Sequence, residues 1–205
     1  MRHFYIEQGS DEWLEQRCGF ITASNFSSIV TTTGTKSRSW KTYLNKVIAE
    51  ADVPRPIEAY QSDAMKQGVD REDLARSRFE LLYNVNIKQV GMIALDDYDV
   101  SCSPDGLFSD TGVEIKCPQR HTFAGYVIDN KLPTTYFQQI QGTMWICELD
   151  YYWFYAYSPE HGDLKIKVLR DDEWINSAAK IITEAATYVK EGVKKLKCNR
   201  NKRAS

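Results

Sequence analysis

Two carboxylates and a lysine in one short stretch are the residues of this chain best suited to chemistry on a phosphodiester. Ser103-Pro104-Asp105-Gly106 is followed by Val113-Glu114-Ile115-Lys116-Cys117, with Ser109-Asp110-Thr111-Gly112 between them. The intervening residues favour a tight turn and the flanking runs are strand-like, so the segment reads as a hairpin with Asp105 and Glu114 meeting at one end. Alternation along a strand puts Glu114 and Lys116 on one face and turns Ile115 into the core. The two carboxylates and the backbone carbonyl of Ile115 suit a hard cation such as Mg²⁺, with waters completing its octahedron. Such a cation polarises a phosphoryl oxygen and activates water, while a neighbouring lysine orients that water or offsets charge growing on the phosphate. Glu-x-Lys alone is a weak signal, and a solvated hairpin with a Glu114–Lys116 surface pair fits the same residues.

The elements that must position this hairpin follow from periodicity. Helical patterns cover Asp11 to Arg17, Trp40 to Glu50, Ala64 to Leu82, Thr134 to Trp145 and Trp174 to Leu196. Extended runs cover Ile87 to Ala94, Val100 to Cys102, Gly106 to Phe108, Val113 to Lys116, Tyr151 to Tyr157 and Lys165 to Leu169. Strands in the middle with helices on both sides predict an α/β fold, a central mixed β-sheet flanked by helices. The aromatic run from Tyr151 to Tyr157 reads as an internal strand with rings on both faces rather than a base-stacking platform. Thr31 to Ser39, rich in Thr, Gly and Ser, reads as a mobile loop before a helix. No repeat or low-complexity linker divides the chain, so residues 1–205 are expected to form a single domain with a basic tail from about residue 194.

Composition narrows the chemistry without choosing it. With 42% hydrophobic residues in 205 the chain can build a sizeable core, and neither a signal peptide nor a membrane-spanning run is expected, which points to the cytoplasm. Five cysteines, an odd number without a Cys-x-x-Cys pair, fit reduced thiols better than a disulfide frame or a zinc site. Three histidines leave little material for histidine-based hydrolysis, so oxygen ligands are favoured. A net charge of −2 excludes a uniformly basic nucleic-acid coat. Local clusters remain: Lys36, Arg38 and Lys41 near the Thr-rich loop, and a lysine- and arginine-rich tail read as a frayed solubilising terminus or as a phosphate-tracking surface.

Four ordered motifs carry a family resemblance. Ser-Pro-Asp-Gly-Leu followed by Gly-x-Glu-x-Lys-Cys-Pro closely resembles the signature of the bacteriophage lambda exonuclease and YqaJ-like phage alkaline exonuclease family, within the PD-(D/E)xK nuclease superfamily. Trp13-(x)3-Arg17-x-Gly19-x-Ile21-Thr22-Ala23-Ser24 resembles the family's N-terminal motif. Gly68-(x)3-Glu72-(x)2-Ala75-Arg76-(x)2-Phe79-Glu80 resembles the helix carrying an additional active-site glutamate, and Gln139-Ile140-Gln141-Gly142-Thr143-Met144-Trp145 the helix presenting a glutamine.

The resemblance implies a restriction-endonuclease-like nuclease fold and a Mg²⁺-dependent 5′→3′ exonuclease, with Mn²⁺ as a substitute and one or two ions per site. The substrate would be linear double-stranded DNA, left with 3′ single-stranded overhangs for phage recombination. It further implies catalytic roles for Asp105, Glu114, Lys116, Glu72 and Gln139, with Asp105, Glu114 and the Ile115 carbonyl as metal ligands. Arg17 and Ser24 would hold a 5′-phosphate, which suits guanidinium and hydroxyl donors; without the resemblance they read as a surface ion pair and a helix cap. Met65 falls where a relative has an apolar wedge at the duplex end, although burial in the core explains a methionine equally. Lys36 and Arg38 are candidate DNA-backbone contacts, but the loop from Gly34 to Ser39 is shorter and differently charged than in the lambda enzyme. A ring-shaped homotrimer, a phage single-strand-annealing partner and a location in the bacterial host cytosol complete the expectation. The rivals are an endonuclease on the same scaffold and a DNA-end-binding scaffold without hydrolysis.

Overall fold

The computed structural model describes residues 1–57 and 63–204, with side chains described outside 58–70 and 203–205. The order is β1 (Arg2–Phe4), α1 (Asp11–Gln16), β2 (Ile21–Thr22), a 3-10 segment (Ala23–Ser28), α2 (Trp40–Asp52), α3 (Asp63–Tyr83), β3 (Met92–Ala94), β4 (Val100–Cys102), β5 (Gly106–Phe108) and β6 (Thr111–Lys116). There follow α4 (Arg120–Asp129), a second 3-10 segment (Thr134–Tyr136), α5 (Phe137–Cys147), β7 (Tyr151–Ser158), β8 (Gly162–Leu169) and α6 (Asp172–Ala204).

The strands fall into two mixed four-stranded sheets, β1-β3-β4-β2 and β5-β6-β7-β8. The pairs β2–β4 and β6–β7 are parallel, and the others antiparallel. Residues 103–105 join the two sheets, and a bridge from Lys88 to Leu107 ties them again.

Side-chain alternation decides what covers each face of the second sheet. Val113 and Ile115 of β6, with Tyr155 and Tyr157 of β7, pack against Ala75 and Phe79 of α3. Tyr152, Phe154 and Ala156 point the other way, toward Phe123 of α4 and Ile140 and Met144 of α5. The aromatic strand is therefore internal with rings on both faces, as its composition predicts. Each fully buried Phe contributes about 1.5–3 kcal/mol relative to exposure, so sliding β7 by one residue would forfeit both layers. The first sheet meets α5 and the first 3-10 segment, and shares one buried cluster with α2 and α6 through Leu44, Val47, Trp174 and Ile182. At Gly142 a Cβ would lie 2.4 Å from the Phe26 ring, so only glycine lets α5 approach this closely.

Several boundaries differ from the sequence reading. The extended run from Ile87 narrows to β3, because the N-terminal segment crosses at Gly91, where a Cβ would fall 2.2 Å from the Ile6 carbonyl. The helical run from Thr134 begins as a 3-10 turn and becomes α5 only at Phe137. α4 was not anticipated, since Phe123 is its one buried residue and leaves little periodicity. The basic tail continues α6 rather than fraying, with Arg200 paired to Asp52. The Thr-rich segment is a hydrogen-bonded loop: Thr31 and Thr35 hydroxyls lie 2.8 Å apart, and the Trp174 indole donates to the Thr31 carbonyl at 3.0 Å. All five cysteines are free thiols, and no described helix is long and apolar enough to cross a membrane.

Candidate active site

The β5–β6 hairpin pairs Gly106 with Val113, which brings the preceding Asp105 beside Glu114. Asp105 Oδ2 accepts the Ile115 amide at 2.7 Å, so the carboxylate is anchored to the strand that carries Glu114 and Lys116. Glu114 is 1% exposed. Its Oε1 receives Lys116 Nζ at 2.6 Å and Gln139 Nε2 at 2.5 Å. Its Oε2 is buried with no hydrogen-bond partner among the described residues. Lys116 Nζ also lies 3.6 Å from Asp105 Oδ2.

Charge is concentrated here with little water to screen it. Burial, then the negative charge of Asp105, pushes Glu114 up to about 7, against the pull of Lys116. Glu72, on α3, is pushed up to about 7 for the same two reasons, which places its carboxyl within electrostatic reach of Asp105 and Lys116. Burial works against the charge on Lys116, but Glu114 and Asp105 more than offset it and hold the ammonium above its ordinary range. An unpaired buried carboxylate oxygen costs at least ~1–3 kcal/mol, and a divalent cation is a partner that would satisfy it. Among the described residues no three His, Cys, Asp or Glu side chains converge as a ready ligand set. The unpaired Glu114 oxygen, with the Asp105 carboxylate beside it, suits a hard cation that keeps most of its waters.

These groups open onto a cavity of about 170 Å³ whose wall also contains Arg17 and Ser24. Ser10 starts α1 by accepting the Trp13 amide at 3.2 Å, and Asp11 and Glu12 complement the dipole of its first turn. Arg17 caps the other end. Its guanidinium sits 4.0 Å above the Trp13 ring and donates to Ser24 Oγ at 3.4 Å. Burial lowers its pKa, against the influence of Tyr43 and Glu50, and it makes no ion pair among the described residues. A half-buried guanidinium without an ion pair among the described residues, beside a hydroxyl, is suited to phosphate.

The structure thus brings Asp105, Glu114, Lys116, Gln139, Arg17 and Ser24 to one cavity, with Glu72 coupled to it. Lys36 is not brought there, because its ammonium is held by Glu184 of α6 at 2.7 Å and lies over the Trp40 ring. Arg38 is exposed. The side chain of Met65 lies outside the described residues. Of the three nearby glutamines only Gln139 meets Glu114; Gln141 ties Leu169 and Asp171, and Gln138 points to the Val30 carbonyl. Sequence reasoning did not single out Gln8, Ser103 or Thr143 as lining residues. Thr143 was within reach, one helical turn beyond Gln139, whereas nothing local marks Gln8.

Fold and site point to the class, a phage-type nuclease. The chain belongs to the YqaJ-like viral recombinase domain family, whose model matches residues 12–150. The alkaline exonuclease LHK-Exo from Laribacter hongkongensis has a similar structure, with TM-score 0.83 at 24% identity, over 94% of this chain and 99% of that one. Its complex with dAMP gives TM-score 0.84 at 23% identity over the same shares. A phage related exonuclease from Haemophilus somnus 129PT matches with TM-score 0.65 at 12% identity, over 86% of this chain and 96% of that one. Comparison with curated proteins gave no significant match.

Proposed function

We propose that residues 1–205 act as a single nuclease domain, a Mg²⁺-dependent 5′→3′ exonuclease. It removes nucleotides from the 5′-phosphorylated strand of linear double-stranded DNA and leaves a 3′ single strand for phage recombination. The observation that supports this reading is the shared cavity, lined both by Glu114, with its buried, unpartnered carboxylate oxygen, and by Arg17, which makes no ion pair among the described residues. A cation site alone would suit many hydrolases. A cation site beside a terminal-phosphate grip suits an enzyme that starts from an end. That LHK-Exo binds dAMP, a nucleoside monophosphate, supports the same product class.

Asp105, Glu114 and the Ile115 carbonyl would hold the cation, Mg²⁺ with Mn²⁺ as a substitute. When bound, it supplies charge stabilisation for the phosphoryl group and activation of water. Gln139 fixes the Glu114 carboxylate, so its free oxygen has one orientation. Lys116 offsets charge growing on the phosphate, and Glu72, with a pKa near neutrality, is suited to take the proton lost by the attacking water. Water attacks phosphorus in line, the bond from phosphorus to the terminal nucleotide's 3′ oxygen breaks, and the shortened strand carries a fresh 5′-phosphate. Each cleavage therefore regenerates the group that Arg17 and Ser24 bind.

The same reading carries a ring-shaped homotrimer that encloses DNA, a phage single-strand-annealing partner and a place in the host cytoplasm. Digestion with Mg²⁺ of 5′-phosphorylated, 5′-hydroxyl and covalently closed duplexes tests it. Mononucleotide release from the phosphorylated strand with circles spared is the expected result. Internal cutting of circles would make the protein an endonuclease, and binding without hydrolysis would make it a scaffold.

A further inference from the structure

Asp105 lies in the segment 103–105 that connects the two sheets, outside any strand; its carboxylate is held by the Ile115 amide and its carbonyl by Arg76 Nε at 3.4 Å. Two side chains from the N-terminal segment hold the two residues before it, and both reach from there to the 90–91 backbone. Gln8 Nε2 donates to the Val90 carbonyl at 2.7 Å and to the Pro104 carbonyl at 2.8 Å. Trp13 Nε1 donates to the Gly91 carbonyl at 3.1 Å and to Ser103 Oγ at 3.3 Å. The other end of Trp13 is engaged too, with its ring beneath the Arg17 guanidinium at 4.0 Å. One rigid indole therefore connects the phosphate grip to the residue two places before Asp105, across the cavity that both line.

Resting on the exonuclease reading above, we propose that Trp13, braced by Gln8, is a positioning residue that sets the distance between the Arg17–Ser24 phosphate grip and Asp105. Through that distance it fixes the cleavage register at one nucleotide from the end. An indole has two side-chain torsions, both constrained here because the N–H and the ring are each occupied. A spacer of this kind acts through Arg17 and Ser103 rather than on the substrate. Misplacement of reacting groups by about 1 Å costs about a hundredfold in rate, so loosening the spacer should act on kcat and on where the strand is cut.

The test compares wild type, Trp13→Phe, Ser103→Ala and Trp13→Leu on a 5′-labelled, 5′-phosphorylated duplex with Mg²⁺, resolving products by length and measuring KM and kcat. Trp13→Phe keeps a ring under Arg17 but loses both N–H bonds. It should hold KM within about twofold, lower kcat about tenfold and release di- and trinucleotides beside mononucleotides. Ser103→Ala, which removes the link to the Asp105 segment at a residue that also lines the cavity, should shift product length the same way by a smaller amount. Trp13→Leu should in addition lose the preference for phosphorylated over hydroxyl ends. Circular dichroism establishes folding, and if Trp13→Phe does not fold, Ser103→Ala decides alone. Folded variants that still release mononucleotides only, at whatever kcat, would overturn the register role. Failure of the wild type itself to release mononucleotides from phosphorylated ends would instead overturn the exonuclease reading.

Discussion

Gln139 donates its side-chain amide to the Glu114 carboxylate, Nε2 to Oε1 at 2.5 Å, from a helix 25 residues away in sequence. With Lys116 on the same oxygen, this bond leaves Glu114 one free acceptor and one orientation. Partners that orient a ligand group in this way are worth about 10- to 100-fold in affinity or activity. Gln139→Ala should therefore raise the Mg²⁺ concentration needed for half-maximal cleavage by about that factor, with little change in DNA affinity. An unchanged Mg²⁺ titration would remove Gln139 from the site.

Asp105→Ala and Lys116→Ala should each lower cleavage by about a thousandfold or more, since both act where charge develops. Their effects on folding differ. Loss of Lys116 leaves Glu114, Asp105 and Glu72 without their common counter-charge, so Lys116→Ala should melt earlier than wild type as pH rises above about 7. Nucleotide release and thermal melting on the same preparations separate the two effects.

The protonation of Glu72 and Glu114 predicts how pH acts on the cation-free protein. Both are held near 7 when folded, against an ordinary value of 4.5. The folded state thus binds more protons than the unfolded chain between these values, and the stability these groups contribute is present below 4.5 and lost as pH rises through 7. A cation competes with the same protons. Added Mg²⁺ should raise Tm clearly at about pH 8 and hardly at all at about pH 5; equal shifts at both would contradict the assignment of these carboxylates.

Arg17→Ala removes a charge-assisted contact of ~1.5–3 kcal/mol, so KM for 5′-phosphorylated ends should rise about 10- to 100-fold and approach that for 5′-hydroxyl ends. Arg17→Lys should fall between, because an ammonium keeps the charge without the planar fork. Competition between the two end types in one reaction gives the ratio directly.

How much of this was readable from residues alone depends on distance along the chain. Asp105, Glu114 and Lys116 belong to one hairpin, where turn chemistry and strand alternation dictate who faces whom. Arg17 caps one helix and Glu72 and Gln139 lie on two others, and nothing local distinguishes Glu72 from any solvated helical carboxylate; only the motif resemblance points to it. The division of the strands into two sheets was beyond periodicity, because it turns on a three-residue joint and on a glycine that lets the N-terminal segment cross. Lys36 shows the converse: charge in a Thr-rich loop suggests a free contact, and only the fold reveals Glu184 beside it.

The unpartnered oxygen of Glu114 has a consequence for anyone selecting variants of this protein. At a pH above 7 the cation-free fold carries an ionised, buried carboxylate with one oxygen unsatisfied, so Glu114→Gln should melt at a higher temperature than wild type. A screen that rewards heat resistance alone would enrich that substitution and discard the nuclease, because the most stable version of this chain and the working one differ at this carboxylate.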